Sequence, residues 1–531
     1  MAENKVDVLL IGAGASAAAF AWSIVDTRMK VMCLEQGDWI NSAHYPSARK
    51  NWESDDDFHF DPNIRNRVTD YPINGDESDI SVANFNGVGG GTILYAGHFP
   101  RFHPSDFRVR TLDGVADDWP VDYHQLEPFY DENDRMMGVS GLSGDPAYPP
   151  KKPNMPPLPL GKSGEVVARG FNAKGWHWWP SDCAIATDRY DGRDRCVNLG
   201  ACLTGCAQGA KASADITYWP HAIRAGVEVK TRCRVREITT DESGMATGAI
   251  YYDGAGNEKT QGAEIVVLAC NGIGTPRLLL NSASSQFPDG LANSSGLVGK
   301  NLMFHPYAAI DGVFEERLDG GRGPHKNLLS HEFYETDLSR GFVRGFGYEM
   351  HRGRGPAATA LKGMFSGRIP RGHGHHEAVR GLIDRMTGVV AVCEDLPELH
   401  NRVTLDPELT DPDGIAAPKI NYRLSDNSKK MMEFAIERAT EVLLAAGAKD
   451  IIVEAPLRFG GWHNMGTARM GVDPANSVVN EWGRSHDVKN LFIIDGSVFV
   501  TSAAVNPTRT IQALALYIAD SMKRRLANLF D

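Results

Sequence analysis

His463 lies in the glycine-bearing run Gly460-Gly461-Trp462-His463-Asn464-Met465-Gly466-Thr467, and Asn506-Pro507 stands 43 residues further on at the head of an apolar stretch. A histidine near its ordinary pKa can take an alcohol proton at neutral pH, so His463 is a candidate general base. Alone, it reads equally well as a hydrogen-bonded core residue. Asn506 is a natural helix N-cap with Pro507 in the first helical position, and a helix N-terminus there would stabilise negative charge on a reduced ring. At the other end of the chain, Gly12-x-Gly14-x-x-Ala17 has the form of a dinucleotide turn. The first glycine makes the turn, the second lets backbone approach a pyrophosphate, and Ala17 packs the helix on the sheet. The N–H groups at Ala15 and Ser16 would then meet phosphate, and Glu35 would accept from a ribose hydroxyl, favouring a free 2′-hydroxyl. This motif does not separate FAD from NAD.

These residues need elements to hold them. Val6 to Ile11 reads as a buried parallel strand, Ala15 to Val25 as a helix of small residues and Lys30 to Glu35 as the next strand, which makes one βαβ unit. Residues 41–79 read as a polar surface excursion, followed by the glycine cluster Gly87-Val88-Gly89-Gly90-Gly91-Thr92. Between Gly144 and Gly164 seven prolines exclude helix and central strand, which leaves an extended arm. Strands are expected over Val227 to Ile238, Ala246 to Tyr252 and Glu264 to Ala269, the last leading into Gly272-Ile273-Gly274-Thr275-Pro276 and an apolar helix. Residues 311–454 change texture, with candidate strands at Val389 to Cys393, Arg402 to Leu405 and Lys419 to Tyr422 and a helix from Asp426 to Ala446. Asn490 to Gly496 reads as a strand delivering Asp495 to a turn.

The bulk properties narrow the function. A chain of 531 residues has room for two or three domains over a large core. A formal charge of -12 gives no reason to expect nucleic acid or an anionic membrane, so a small-molecule substrate is the default. No uninterrupted apolar run is long enough to span a membrane, and the opening residues carry no export pattern, so a cytoplasmic location is expected from the chain's own signals. Eight cysteines, mostly isolated, suit a reducing compartment. His373, His375 and His376 read as a solvated loop rather than a metal site, and His305 is given only a structural role.

Gly12 to Glu35, the Gly87 to Gly97 loop, Gly272 to Leu279, Gly461 to Gly471 and Asp495 to Ala513 together resemble the glucose-methanol-choline family of flavin oxidoreductases, in the family's order and over nearly the whole chain. The resemblance implies FAD, and alcohol oxidation in which His463 takes the hydroxyl proton, hydride passes to flavin N5 and Asn506 holds the same oxygen. It also implies a Rossmann-like α/β FAD-binding domain, discontinuous over 1–310 (with excursions at 41–83 and 131–194) and 455–531. A substrate-binding α+β domain with an antiparallel sheet would occupy 311–454. Cofactor contacts are expected at Gly12, Gly14, Ala15, Ser16, Glu35, Gly89, Gly90, Thr92, Val235, Ala269, Asp495, Gly496, Asn506 and Thr508.

Two details of the pattern go further. Where sugar-oxidising relatives carry a flavin-linking His-Trp pair, this chain has Leu94-Tyr95, which implies dissociable FAD. The segment Cys196-x5-Cys202-x3-Cys206 resembles the large subunits of bacterial sugar and polyol dehydrogenases and implies a three-iron cluster, a small escort subunit giving a route to the periplasm, and a cytochrome-type acceptor. The expected reaction is oxidation of a sugar, polyol or aryl carbinol by a dehydrogenase. An alcohol oxidase of the same family, or a cyanohydrin lyase on the same fold, is the alternative.

Overall fold

The computed structural model describes residues 5–45, 48, 70–353 and 355–529. Most of the polar excursion expected over 41–79, and the first four residues, lie outside these. The central sheet has seven strands. Its parallel part runs, in spatial order, Glu228–Lys230, Val31–Leu34, Val6–Ile11, the C-terminal half of Glu258–Leu268, and Leu491–Ile493. Val6 to Ile11 is apolar at nearly every position because helices and loops cover both faces of a parallel sheet. The long strand Glu258–Leu268 then turns its N-terminal half to an antiparallel meander with Ala246–Tyr252 and Arg234–Thr240.

The single strand expected from Val227 to Ile238 is two. Arg232 takes φ 56° and donates its N–H to the Gly37 carbonyl, so the chain leaves the parallel sheet after Lys230 and re-enters it as the meander edge at Arg234. The glycine-rich segment after Leu268 is helical from Asn271 to Asn281, earlier than expected, with the Asn271 side chain accepting from the N–H groups of Ile273 and Gly274. His375 and His376 open a short helix, His375–Leu382, rather than lying in a loop.

The second layer is a six-stranded antiparallel sheet, ordered Asp450–Glu454, Tyr307–Val313, Met386–Cys393, Phe346–His351, Leu328–Ser330 and Trp179–Pro180. Helix Asp426–Ala445 packs beneath it, with Met431, Ala435, Ala439 and Val442 buried at helical spacing, beside helix Gly161–Lys174. That second helix begins right after Pro159, where the proline-rich arm ends. The sheet thus draws its last strand and one covering helix from well before residue 311. Arg402–Thr410 and Ala416–Tyr422 form a hairpin that pairs with Asn74–Ser78 in a third, three-stranded sheet. The architecture is mixed α/β with a separate antiparallel layer, as the sequence implies. Among the described residues no helix is long and apolar enough to cross a membrane.

Candidate active site

A cavity of about 710 Å³ runs from the turn at Gly12 to His463 and Asn506, between the parallel sheet and the antiparallel layer. Of the residues expected to bind cofactor or act on substrate, Gly12, Gly14, Ala15, Ser16, Glu35, Gly90, Thr92, Val235, Ala269, His463, Asp495, Gly496, Asn506 and Thr508 all line it. Gly89 does not. It donates its N–H to the Ala13 carbonyl and turns the loop with φ 99°.

The turn is built for close approach of a ligand. Gly12 sits at φ 95°, and a Cβ there would stand 2.6 Å from the Ala269 carbonyl oxygen. A Cβ on Gly90 would lie 2.9 Å from the Gly14 Cα, so two glycine turns touch and leave the helix start at Ala15 open to the cavity. Glu35 is buried at the second strand's end, its carboxylate accepting from the N–H groups of Ala13 at 2.7 Å and Gly37 at 2.8 Å. It braces the turn as well as facing the cavity. Asp495 accepts from Ser497 N–H (2.9 Å), Asn271 N–H (3.0 Å) and the Thr275 hydroxyl (2.6 Å), which ties the C-terminal strand to the helix at Asn271. Burial raises its pKa. Thr92 donates to the Gly89 carbonyl and accepts from Ala214 N–H, so it holds the loop shut from behind. An elongated cavity with a glycine-lined phosphate end and a polar far end fits FAD.

At that far end the hydrogen-bond chain fixes which nitrogen of His463 is basic. His305 Nε2 lies 3.1 Å and 2.9 Å from the carbonyl oxygens of Ser502 and Ala503, which only accept, so this nitrogen carries the proton. Burial lowers His305 to about 4, so the ring is neutral and its Nδ1 is an acceptor. His463 Nδ1, 2.6 Å from His305 Nδ1, must therefore donate to it, with the Tyr307 hydroxyl 3.0 Å from the same nitrogen. Nε2 of His463 is left with its lone pair toward the cavity. Burial first, and His305 second, hold His463 well below 6.5, so it is unprotonated and ready to accept a proton at neutral pH. His305 fixes the ring of the candidate base His463, a contact beyond the structural role read from sequence. Its place beside His463 comes from an antiparallel bridge between Met303 and Met465 that sequence spacing does not reveal.

Asn506 is held differently from the N-cap expected. The helix runs Thr508–Arg524 with Pro507 at the cap position, and the Asn506 side-chain oxygen instead accepts from His98 Nδ1 at 2.6 Å. The helix start is pinned by Arg509, fully buried, which donates to the Phe99 carbonyl at 2.6 Å and to Asp134 and Asp182. Those bonds set the helix against the His98–Phe99 segment. With its oxygen committed to His98, the Asn506 amide presents NH2 to the cavity, where it can donate to a substrate oxygen.

Cys196, Cys202 and Cys206 stand apart from the lining, although Ala201, Leu203 and Thr204 between them reach it. Among the described residues no group of three or more His, Cys, Asp or Glu side chains is arranged to hold a metal ion. Burial raises the Cys202 thiol to about 12, and Cys196 rises too. Among the described residues, the geometry of these cysteines gives the three-iron cluster no support. The nearby Lys211 is buried and donates to the carbonyls of Ile93, Tyr95 and Cys202, tying the cysteine segment to the glycine loop.

A nucleotide turn, a long cavity and a histidine base facing a donor amide define a flavin-type oxidoreductase acting on CH–OH groups. Family models described as GMC oxidoreductase match residues 6–307 and 397–515, and the chain belongs to that family of FAD-dependent enzymes. It is 42% identical to a 2-methyl-1,2-propanediol dehydrogenase of Mycolicibacterium austroafricanum, over 99% of this chain and 97% of the other. To the fructose dehydrogenase large subunit of Gluconobacter japonicus it is 28% identical over 98% of both chains. The fold is also that of pyridoxine 4-oxidase from Mesorbium loti, with a TM-score of 0.67 at 16% identity, covering 98% of this chain and 99% of that one.

Proposed function

We propose that this GMC oxidoreductase is a dehydrogenase of a short diol or polyol, with dissociable FAD. The observation that carries the chemistry is the hydrogen-bond chain that leaves His463 Nε2 as a free base opposite the Asn506 amide. When bound, FAD supplies the two-electron acceptor for the hydride of the carbinol carbon. His463 takes the hydroxyl proton, the Asn506 NH2 donates to the oxygen as charge builds on it, and the walls orient the C–H bond. A small hydroxylated substrate is supported by the full-length likeness to the diol dehydrogenase. Dissociable FAD is supported by Leu94 and Tyr95: Leu94 is buried with no nucleophile, and the Tyr95 hydroxyl is engaged with the Ala212 carbonyl. The deciding experiment is anaerobic mixing with propane-1,2-diol. Bleaching of the flavin with no peroxide on admitting air supports the dehydrogenase, whereas stoichiometric peroxide makes it an oxidase, and an unbleached flavin that turns over a cyanohydrin makes it a lyase.

A second reading adds an iron cluster, an escort subunit and a cytochrome-type acceptor. It is favoured by the likeness to the fructose dehydrogenase large subunit and by Cys196 and Cys206 lying close enough to Cys202 to raise its pKa. Iron and acid-labile sulfide per flavin, on protein purified without oxygen, decide it, with about three irons expected if the cluster forms. Without iron, we place the protein in the cytoplasm, a location supported by eight cysteines that are all free.

A further inference from the structure

Glu349 stands in the strand Phe346–His351, held at mid-strand by pairing with Leu329 on one side and Val390 on the other. Its carboxylate is buried and has two partners: Oε2 pairs with Lys326 Nζ at 2.9 Å, and Oε1 lies 3.0 Å from His98 Nδ1. Burial works against charge on this carboxyl, but Lys326 and His98 outweigh it and hold the pKa well below the usual carboxylate range. Glu349 is therefore ionised and can only accept. Lys326 comes from the loop ahead of the strand Leu328–Ser330, so carboxylate and cation both belong to the antiparallel layer.

The same Nδ1 of His98 is 2.6 Å from the Asn506 side-chain oxygen. An ionised carboxylate at 3.0 Å requires a proton on Nδ1 whether the ring is neutral or charged, so the sense of these bonds does not depend on the charge of His98. With that proton in place, an Asn506 NH2 turned toward the ring would set two donors 2.6 Å apart. The oxygen must face His98, and the NH2 must face the cavity. Lys326 thus bears on the Asn506 amide through three polar contacts in a row, as a carboxylate behind a histidine fixes which ring nitrogen is protonated.

We propose that Glu349, held by Lys326, is a positioning residue for the oxidation: it keeps a proton on His98 Nδ1, and that proton fixes the Asn506 amide with its NH2 toward the substrate oxygen. The proposal rests on the reading of this site as alcohol-oxidising and adds the groups that aim its donor. Neither Glu349, Lys326 nor His98 has to touch the substrate.

Glu349→Gln inverts the row. Lys326 only donates, so it takes the Gln oxygen and leaves the Gln NH2 facing His98 Nδ1. Nδ1 must then accept, and Asn506 turns its NH2 to the ring and its oxygen to the substrate. The limiting rate of anaerobic flavin reduction by propane-1,2-diol is measured on FAD-loaded enzyme, with FAD per chain and melting temperature as checks of the fold. In Glu349→Gln it should fall about 10²-fold, the worth of one donor to a developing oxyanion, with the half-saturating diol concentration little changed. Adding Lys326→Met frees the Gln oxygen to take the Nδ1 proton and should recover most of that loss. Combined with Asn506→Ala, Glu349→Gln should add no more than about a twofold loss, because both act through one amide.

No recovery on adding Lys326→Met, or losses that multiply with Asn506→Ala, overturns the proposal and leaves Glu349 to packing or to the charge of His463. If Glu349→Gln alone fails to hold FAD, the neutral pair formed with Lys326→Met decides. A rate near wild type supports the positioning role, and a rate as low as that of Asn506→Ala overturns it. A wild type that the diol does not bleach takes away the alcohol-oxidising reading and this proposal with it, whereas a wild type that bleaches with the variants out of this order overturns the proposal alone.

Discussion

His463, His305 and Asn506 show how single groups acquire a function from their partners. His463→Ala should lower the rate of anaerobic flavin reduction by about 10²- to 10⁴-fold, the usual worth of a positioned base, with FAD retained in the spectrum. Because burial and His305 hold His463 below 6.5, the acid limb of kcat/KM should lie well under pH 6.5 and the profile should be flat from there to pH 8. His305→Leu removes the neighbour that acts on the charge of the base and releases the Nδ1 proton from its acceptor. Its pH–rate profile should shift the acid limb, and kcat should fall about tenfold or more with KM little changed. An acid limb at the same pH in both proteins would mean that His305 only fills space. The base and amide were visible in the sequence as a histidine among glycines and an asparagine before proline. Their partners were not, because His98, His305, Tyr307 and Glu349 reach the site from distant loops and strands whose side chains carry no periodic signal.

Among the elements, the paired glycine turns carry the sharpest prediction. Gly90→Ala puts a methyl group 2.9 Å from the Gly14 Cα at φ 53°, so the loop must move away from the helix start. The purified variant should hold less FAD per chain and melt earlier than the wild type. Full flavin content with an unchanged melting temperature would show that the loop absorbs the methyl elsewhere. The βαβ unit was legible because a six-residue strand with five apolar residues, a glycine turn and a helix of small residues follow one another without interruption. The break at Arg232 was not, since β-branched and basic residues continue through it and only the pairing of each half with a different neighbour forces the chain to turn. The capping role of Asn506 was misjudged for a similar reason: a side chain that could cap its own helix is captured by a ring from 408 residues away.

For the molecule as a whole, the join between the two layers is rich in buried charge. Arg344 alone meets Asp106, Asp113 and Glu394, and Arg509 meets Asp134 and Asp182. Among the described residues Asp395 has no such cation; it accepts from Phe304 N–H and the Tyr422 hydroxyl, and burial raises it to about 7. A carboxyl whose folded pKa is raised binds a proton that the unfolded chain releases from about pH 4 upward. Its stabilisation is therefore complete below that pH and is lost as pH rises through about 7. Melting temperature should fall between pH 5 and 8, and Asp395→Asn should flatten that fall. A wild-type melting curve that rises over the same range would show that other groups outweigh it.

The order of glycine turn, apolar strand, histidine and asparagine along one chain was enough to determine a nucleotide-binding α/β enzyme and to mark out a candidate reacting pair. Local geometry dictates those features: a tight turn needs glycine, a buried parallel strand needs an unbroken apolar run, and proline can open a helix but not continue one. Only the tertiary structure decided which nitrogen of His463 is basic and which way the Asn506 amide faces. Protonation and orientation are set by partners that sequence separation hides, because a hydrogen bond reads distance in space and takes no account of distance along the chain.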